Sequence, residues 1–100
     1  MMKVVSLNSR GLGHPSKTKA LRDLINQEKP EIILLQETKQ GETNTRKIIS
    51  KEKQYDGTLS KSRGASGGLA TLWSTNTWQP KGTTVNQNWL KIVLENNGNQ

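Results

Sequence analysis

The apolar positions of this chain fall into short groups whose spacing changes from one stretch to the next. KVVSLN (3–8) packs β-branched residues into a short run and predicts a strand. SRGLGHPS (9–16) holds two glycines and a proline and predicts a turn. In KTKALRDLINQEKP (17–30), Ala20, Leu21, Leu24 and Ile25 recur at helical spacing, with charged and amide side chains on the other face. Ser16 is the expected N-cap. Pro30 disfavours helical geometry at Lys29, so the helix should stop there. EIILLQE (31–37) is a continuous apolar run with a polar end, as expected of a strand buried on both faces.

Strand, helix and strand within about 35 residues form a βαβ unit, whose strands are expected to be parallel neighbours joined by a right-handed crossover. Ligands of open α/β sheets bind at the carboxyl ends of parallel strands. Asn8 ends the first strand and Glu37 the second, so the topology predicts that both lie on one edge. Downstream the pattern is weaker. ETNTRKIISKEKQ (42–54) predicts a short polar helix with Ile48 and Ile49 inward. YDGTLSK (55–61) and LATLWS (69–74) predict an antiparallel hairpin around the flexible turn SRGASGG (62–68). NTWQPKG (76–82) reads as a loop, and TTV (83–85) and WLKIVL (89–94) as strands. Asn97-Gly98 after that last strand is a hairpin signal. With only two residues after it, the returning strand would be missing, and the expectation is a chain that stops in mid-fold; a frayed polar tail is the alternative.

Composition alters this picture in two ways. Hydrophobic residues make up 30% of the 100 and Phe is absent, which is lean for a packed core and keeps open a product without a stable fold. Fifteen Lys and Arg against eight Asp and Glu give a net charge of +7. That balance favours polyanionic partners, nucleic acid before an acidic membrane surface, with an ordinary basic surface as the plain alternative. The absence of Cys excludes disulfides and thiolate metal sites. The N-terminus lacks the apolar core of a signal sequence, and no run approaches the roughly 20 apolar residues of a bilayer span. The expected setting is intracellular, in nucleus or cytoplasm, neither secreted nor membrane-bound.

The candidate chemistry starts at Glu37. A Mg²⁺ site needs one or two protein carboxylates, with waters and substrate phosphate completing the octahedron. A Glu at the end of a buried strand is well fixed for that role, although most such residues are simply solvated. Asn8 can offer an oxygen to a metal or an amide donor to a phosphate, and its ordinary role before a Gly-rich turn is a cap.

Three segments in order, KVVSLNSRGLG, PEIILLQETK and SGGLATLWS, resemble the endonuclease/exonuclease/phosphatase superfamily. Within it they look most similar to the apurinic endonuclease-like domain of plant non-LTR retrotransposons. LNSRGLG and LLQETK are the specific motifs. The resemblance implies the N-terminal portion of a four-layer α/β sandwich of two packed mixed sheets with helices outside. It further implies a Mg²⁺- (or Mn²⁺-) dependent hydrolase of phosphoester bonds that acts on DNA. By the same resemblance Glu37 matches the family's metal-binding Glu, and Asn8 its first active-site Asn, which binds metal or orients phosphate. Leu7 stands where Trp is common, a change between two packing residues.

The family's Gly-Asp-x-Asn and Ser-Asp-His motifs have no counterpart here. The only aspartates are Asp23 and Asp56 and the only histidine is His14, in GHPS. Tyr55 does not match the family's tyrosine. Hydrolysis by this route needs a general base for water, supplied in the family by an Asp–His pair, and support for charge developing on phosphate. Residues 1–100 therefore read as a partial domain with its C-terminal half missing, inactive or nearly so alone. The alternatives are a basic non-catalytic nucleic-acid binder and an unstable truncated product. Arg10, Lys39 and Arg63 are expected on loops near the ligand edge, where such cations contact phosphates without reading sequence. Of the tryptophans that could stack on bases, Trp73 reads as core, while Trp78 and Trp89 stay open.

Overall fold

The computed structural model describes residues 2–39, 42–60, 68–85 and 89–98. The chain runs β1 (Val4–Asn8), α1 (Pro15–Glu28), β2 (Ile32–Gln36), α2 (Glu42–Ser50), β3 (Tyr55–Ser60), β4 (Leu69–Ser74), β5 (Trp78–Val85) and β6 (Leu90–Asn96). Four strands form one mixed sheet in the order β1-β2-β4-β3, and β5 and β6 form a second sheet. β1 and β2 are parallel, with α1 between them in sequence, as the βαβ reading requires. β4 is antiparallel to both β2 and β3, as expected of the two strands, while the flexible turn read at 62–68 lies, but for Gly68, outside the described residues.

The register sorts side chains by period two. Val5, Ile33, Leu72 and Gly57 line up across the sheet, as do Leu7, Leu35, Ala70 and Leu59. This face carries the core, in which Leu21 and Ile25 of α1 and Ile48 and Ile49 of α2 pack on the strands with Leu12. Helix α1 buries a single stripe because its other positions are charged or amide side chains. The opposite face carries Val4, Ile32 and Trp73 in one row and Ser6, Leu34 and Thr71 in the next. Trp73 is buried, matching its reading as core. Leu34 and Val4, by contrast, are 38% and 47% exposed.

The expectation that residues 31–37 are buried on both faces is thus corrected. Only Ile33 and Leu35 are buried within β2. The second sheet accounts for this: in β6, half-buried Leu90, Ile92 and Leu94 alternate with exposed residues, and Trp89 and Leu90 share a shallow cleft with Leu34, Leu69 and Thr71. A two-stranded sheet covers part of a four-stranded face and leaves the remainder open.

Other boundaries also move. α1 begins at Pro15, and its N-cap is His14, not Ser16: His14 is extended (ψ 135°), and its ring accepts from the Ser16 N–H. Pro at the first helical position lacks only an N–H that would be unpaired there, and this draws the start forward. The helix ends where expected, with Lys29 in the left-handed region at φ 47°. α2 stops at Ser50 rather than near residue 54. The loop read at 76–82 is largely strand, since β5 starts at Trp78 and tolerates Pro80 by a register shift between Pro80 and Gly82. Asn97 follows β6, and its amide donates to the Thr75 and Asn76 carbonyls, tying it to the β4–β5 turn. Gly98 takes φ 77°, but Asn97 does not share the positive φ that an Asn-Gly hairpin turn requires at both residues.

Candidate functional site

At the carboxyl ends of β1 and β2, Asn8 and Gln36 are register partners. Past them the two chains stay joined. The Ser9 N–H donates to the Gln36 carbonyl at 3.0 Å, the Gly11 N–H to Glu37 at 2.8 Å and the Leu12 N–H to Thr38 at 2.9 Å. Leu12, Thr38 and Ser9 are all buried, so the two loops are anchored from beneath. The Thr38 N–H donates in turn to the Gly68 carbonyl, which brings the start of β4 to the same edge.

These loops depart from strand geometry at four positions. Arg10 (φ 49°), Gly11 (φ 106°), Glu37 (φ 54°) and Lys39 (φ 54°) all have positive φ. Only Gly11 is free of the steric penalty that a Cβ incurs there. Strained backbone of this kind persists only where its surroundings hold it, and functional sites are a common setting. Glu37 is therefore not the solvated last residue of a strand. It follows the strand, turned by its own backbone.

The Glu37 side chain meets Asn8. Asn8 Nδ2 donates to Glu37 Oε2 at 2.6 Å, and Asn8 Oδ1 accepts from the Arg10 N–H at 3.2 Å. A backbone N–H can only donate, which fixes the amide orientation and aims its NH₂ at the carboxylate. The second carboxylate oxygen, Oε1, faces the Lys39 ammonium at 4.0 Å, and both side chains are partly open to solvent. The sequence-based pairing of Asn8 with Glu37 at one edge is thus realised, with Lys39 beside it. Arg10 lies on the same loop with its side chain exposed. Arg63 lies outside the described residues.

A divalent cation fits this arrangement through one carboxylate. Glu37 is ionisable, half-exposed and immobilised on one side by Asn8, and Mg²⁺ can retain most of its waters at such a site. Asn8 is engaged at both ends of its amide, so its first role in this geometry is to orient Glu37. Among the described residues no group of three or more His, Asp or Glu side chains gathers anywhere.

The remaining candidates serve the fold. His14 Nδ1 accepts from the Ser16 N–H and sits 2.8 Å from Ser16 Oγ, as a helix cap. Asp23 pairs with Lys19, and Asp56 Oδ1 accepts from the Gly57 N–H. Tyr55 starts β3 at the opposite end of the sheet and donates its hydroxyl to the Pro30 carbonyl. Burial, aided by the nearby Glu31 charge, raises its pKa above the ordinary tyrosine value. Trp78 Nε1 donates to Glu31 at 3.0 Å, while Trp89 is about half exposed. Sequence reasoning missed Ser9: a small polar residue between Asn8 and a glycine carries no pattern that separates it from turn material.

Solved structures share this architecture. A 3′ phosphatase from Neisseria bound to a product DNA hairpin superimposes with a TM-score of 0.70 at 16% identity, covering 88% of this chain and 32% of that one. An AP endonuclease from Archaeoglobus fulgidus gives 0.69 at 20% identity, covering 89% and 32%. The APE2 catalytic domain of Xenopus laevis gives 0.58 at 27% identity, covering 83% and 26%. The chain thus spans about a third of the length of these proteins or less. A search of curated proteins found no match. The model of the endonuclease/exonuclease/phosphatase family matches residues 5–99, and so, with the βαβ edge that brings Asn8 to Glu37, the chain belongs to the endonuclease/exonuclease/phosphatase family.

Proposed function

We propose that this chain is the N-terminal, metal-binding portion of a Mg²⁺-dependent phosphodiesterase acting on DNA, of the type carried by plant non-LTR retrotransposons. The observation that carries the reading is the Asn8–Glu37 pair at 2.6 Å, held by left-handed backbone at the ligand edge of the parallel strands. Support for a DNA substrate comes from the net charge of +7 and from the Neisseria neighbour, whose structure contains a product DNA hairpin. The retroelement assignment rests on the LNSRGLG and LLQETK motifs.

Glu37 would hold the metal, with Asn8 fixing the carboxylate. A bound Mg²⁺ supplies charge stabilisation to a phosphoryl oxygen. Lys39 stands beside the carboxylate and Arg10 lies on the adjoining loop; both would orient phosphate oxygens by charge, with Arg63 as a third cation on the SRGASGG segment. No group matched within these 100 residues takes a proton from water. His14 has its Nδ1 engaged in capping α1. Activity of the chain alone is therefore expected to be weak or absent, the general base belonging to a part of the family's domain outside residues 1–100.

Two measurements test this. Titration of Mn²⁺ against the chain should show a site that Glu37→Ala abolishes; binding unaffected by that substitution would remove Glu37 from the metal. Nicking of supercoiled plasmid in Mg²⁺ should be negligible. Efficient nicking that Glu37→Ala eliminates would overturn the claim that the catalytic set is incomplete. A second reading, a basic nucleic-acid binder without catalysis, draws on the same Arg10 and Lys39. It requires DNA affinity that falls steeply with salt, because phosphate contacts release counterions.

A further inference from the structure

We infer that the Ser9 hydroxyl is a positioning group that holds Glu37 in its left-handed conformation and so aims the carboxylate at the ligand edge. This rests on the reading of Glu37 as the metal carboxylate. Ser9 Oγ lies 3.0 Å from the Gln36 carbonyl oxygen and 3.2 Å from that of Glu37, and it donates to both. Along an extended strand, successive residues turn their hydrogen-bonding groups to opposite neighbours. One donor reaches two consecutive carbonyls only where the chain has turned between them. Here that turn is Glu37 at φ 54°, a conformation disfavoured by any residue with a Cβ.

The hydroxyl is not required merely to pair those carbonyls. The Gln36 carbonyl already accepts from the Ser9 N–H and the Glu37 carbonyl from the Gly11 N–H. What the hydroxyl adds is a three-centre bond whose second branch, to the Glu37 carbonyl, forms when residue 37 is left-handed; with residue 37 extended its single hydrogen would serve the Gln36 carbonyl alone. Ser9 is 1% exposed, so water does not compete for that bond. Ser9 Oγ bonds backbone carbonyls and so acts through the backbone that carries the carboxylate.

A double-mutant cycle tests the inference on the full chain. Glu37→Gly removes the Cβ penalty at positive φ, since glycine adopts that region freely. Ser9→Ala should lower the urea midpoint in both backgrounds, and by clearly less when residue 37 is Glu, because only there can the chain relieve left-handed strain once the hydroxyl is gone. Equal losses in both backgrounds would mean an ordinary buried hydroxyl and would overturn the inference. If Ser9→Ala fails to fold in either background, Ser9→Cys, whose thiol is a weaker donor, takes its place in the cycle with the same two outcomes. Mn²⁺ titration gives a second readout. Ser9→Ala should weaken binding by roughly tenfold, as loss of a supporting group around a metal ligand does, and Ser9→Thr, which keeps the hydroxyl, should restore most of it. A parent chain that binds no Mn²⁺ would defeat the metal reading of Glu37 while the stability cycle still decides the role of Ser9.

Discussion

Asn8 acts through both ends of its amide, and that explains why the site was only half legible in the sequence. The βαβ pattern was enough to place Asn8 and Glu37 on one edge. It could not show that Glu37 leaves the strand through a left-handed turn, because neither Glu37 nor Lys39 carries the glycine that usually announces positive φ. That geometry is imposed by non-local bonds from Ser9, Gly11 and Leu12, about 27 residues earlier in the chain. Tyr55 illustrates the same limit: its hydroxyl bonds the Pro30 carbonyl across the fold. Its folded-state pKa is raised, by burial first and the Glu31 charge second. The folded state thus retains the phenol proton at a pH where the unfolded chain releases it. The stability this contributes is complete below about pH 10, the ordinary tyrosine value, and is lost as pH rises through the higher folded value. Tyr55→Phe should therefore be less stable than the parent near neutrality, and the gap should narrow above pH 10. Urea midpoints taken on both sides of that value check it; a gap that widens with pH would contradict the assignment.

Elements with strong local signals were read correctly, and those held by partners were not. α1 shows its apolar stripe and its Pro30 stop in sequence, yet its cap was misplaced by two residues because His is not among the usual capping residues. The first part of β5, 78–82, was read as loop since Pro80, Lys81 and Gly82 are poor strand formers, whereas 83–85 was read as strand. It exists because β6 pairs along it, with a register irregularity that absorbs the proline. Gly57 is an element-scale feature with a sharper consequence. A Cβ built at Gly57 would stand 3.0 Å from the Thr71 backbone oxygen and 3.3 Å from Leu72 Cγ. Backbone in a central strand cannot yield cheaply, and overpacking of this kind costs about 1–3 kcal/mol. Gly57→Ala should accordingly destabilise the chain by that order, although alanine normally suits a strand better than glycine. An unfolding midpoint equal to the parent's would show that β3 and β4 stand further apart than the register implies.

At the scale of the whole molecule, the continuous run Ile32–Leu35 predicted a strand covered on both sides, and the fold covers only one side fully. The reason is size: two helices seal one face of the four-stranded sheet, whereas the β5–β6 pair reaches only part of the other. Ile33 at 0% exposure and Leu34 at 38% are adjacent in sequence and opposite in setting. Removing a fully buried Ile side chain to Ala costs about 2–5 kcal/mol, from lost transfer energy and the cavity left behind. Leu34 forms no comparable cavity, and its truncation should cost less than about 1 kcal/mol. Ile33→Ala and Leu34→Ala, compared by urea unfolding at low protein concentration, should therefore differ by more than about 1 kcal/mol. Equal and large losses would show that the second face is sealed in solution, and the partial cover seen here would then not describe the chain's working state.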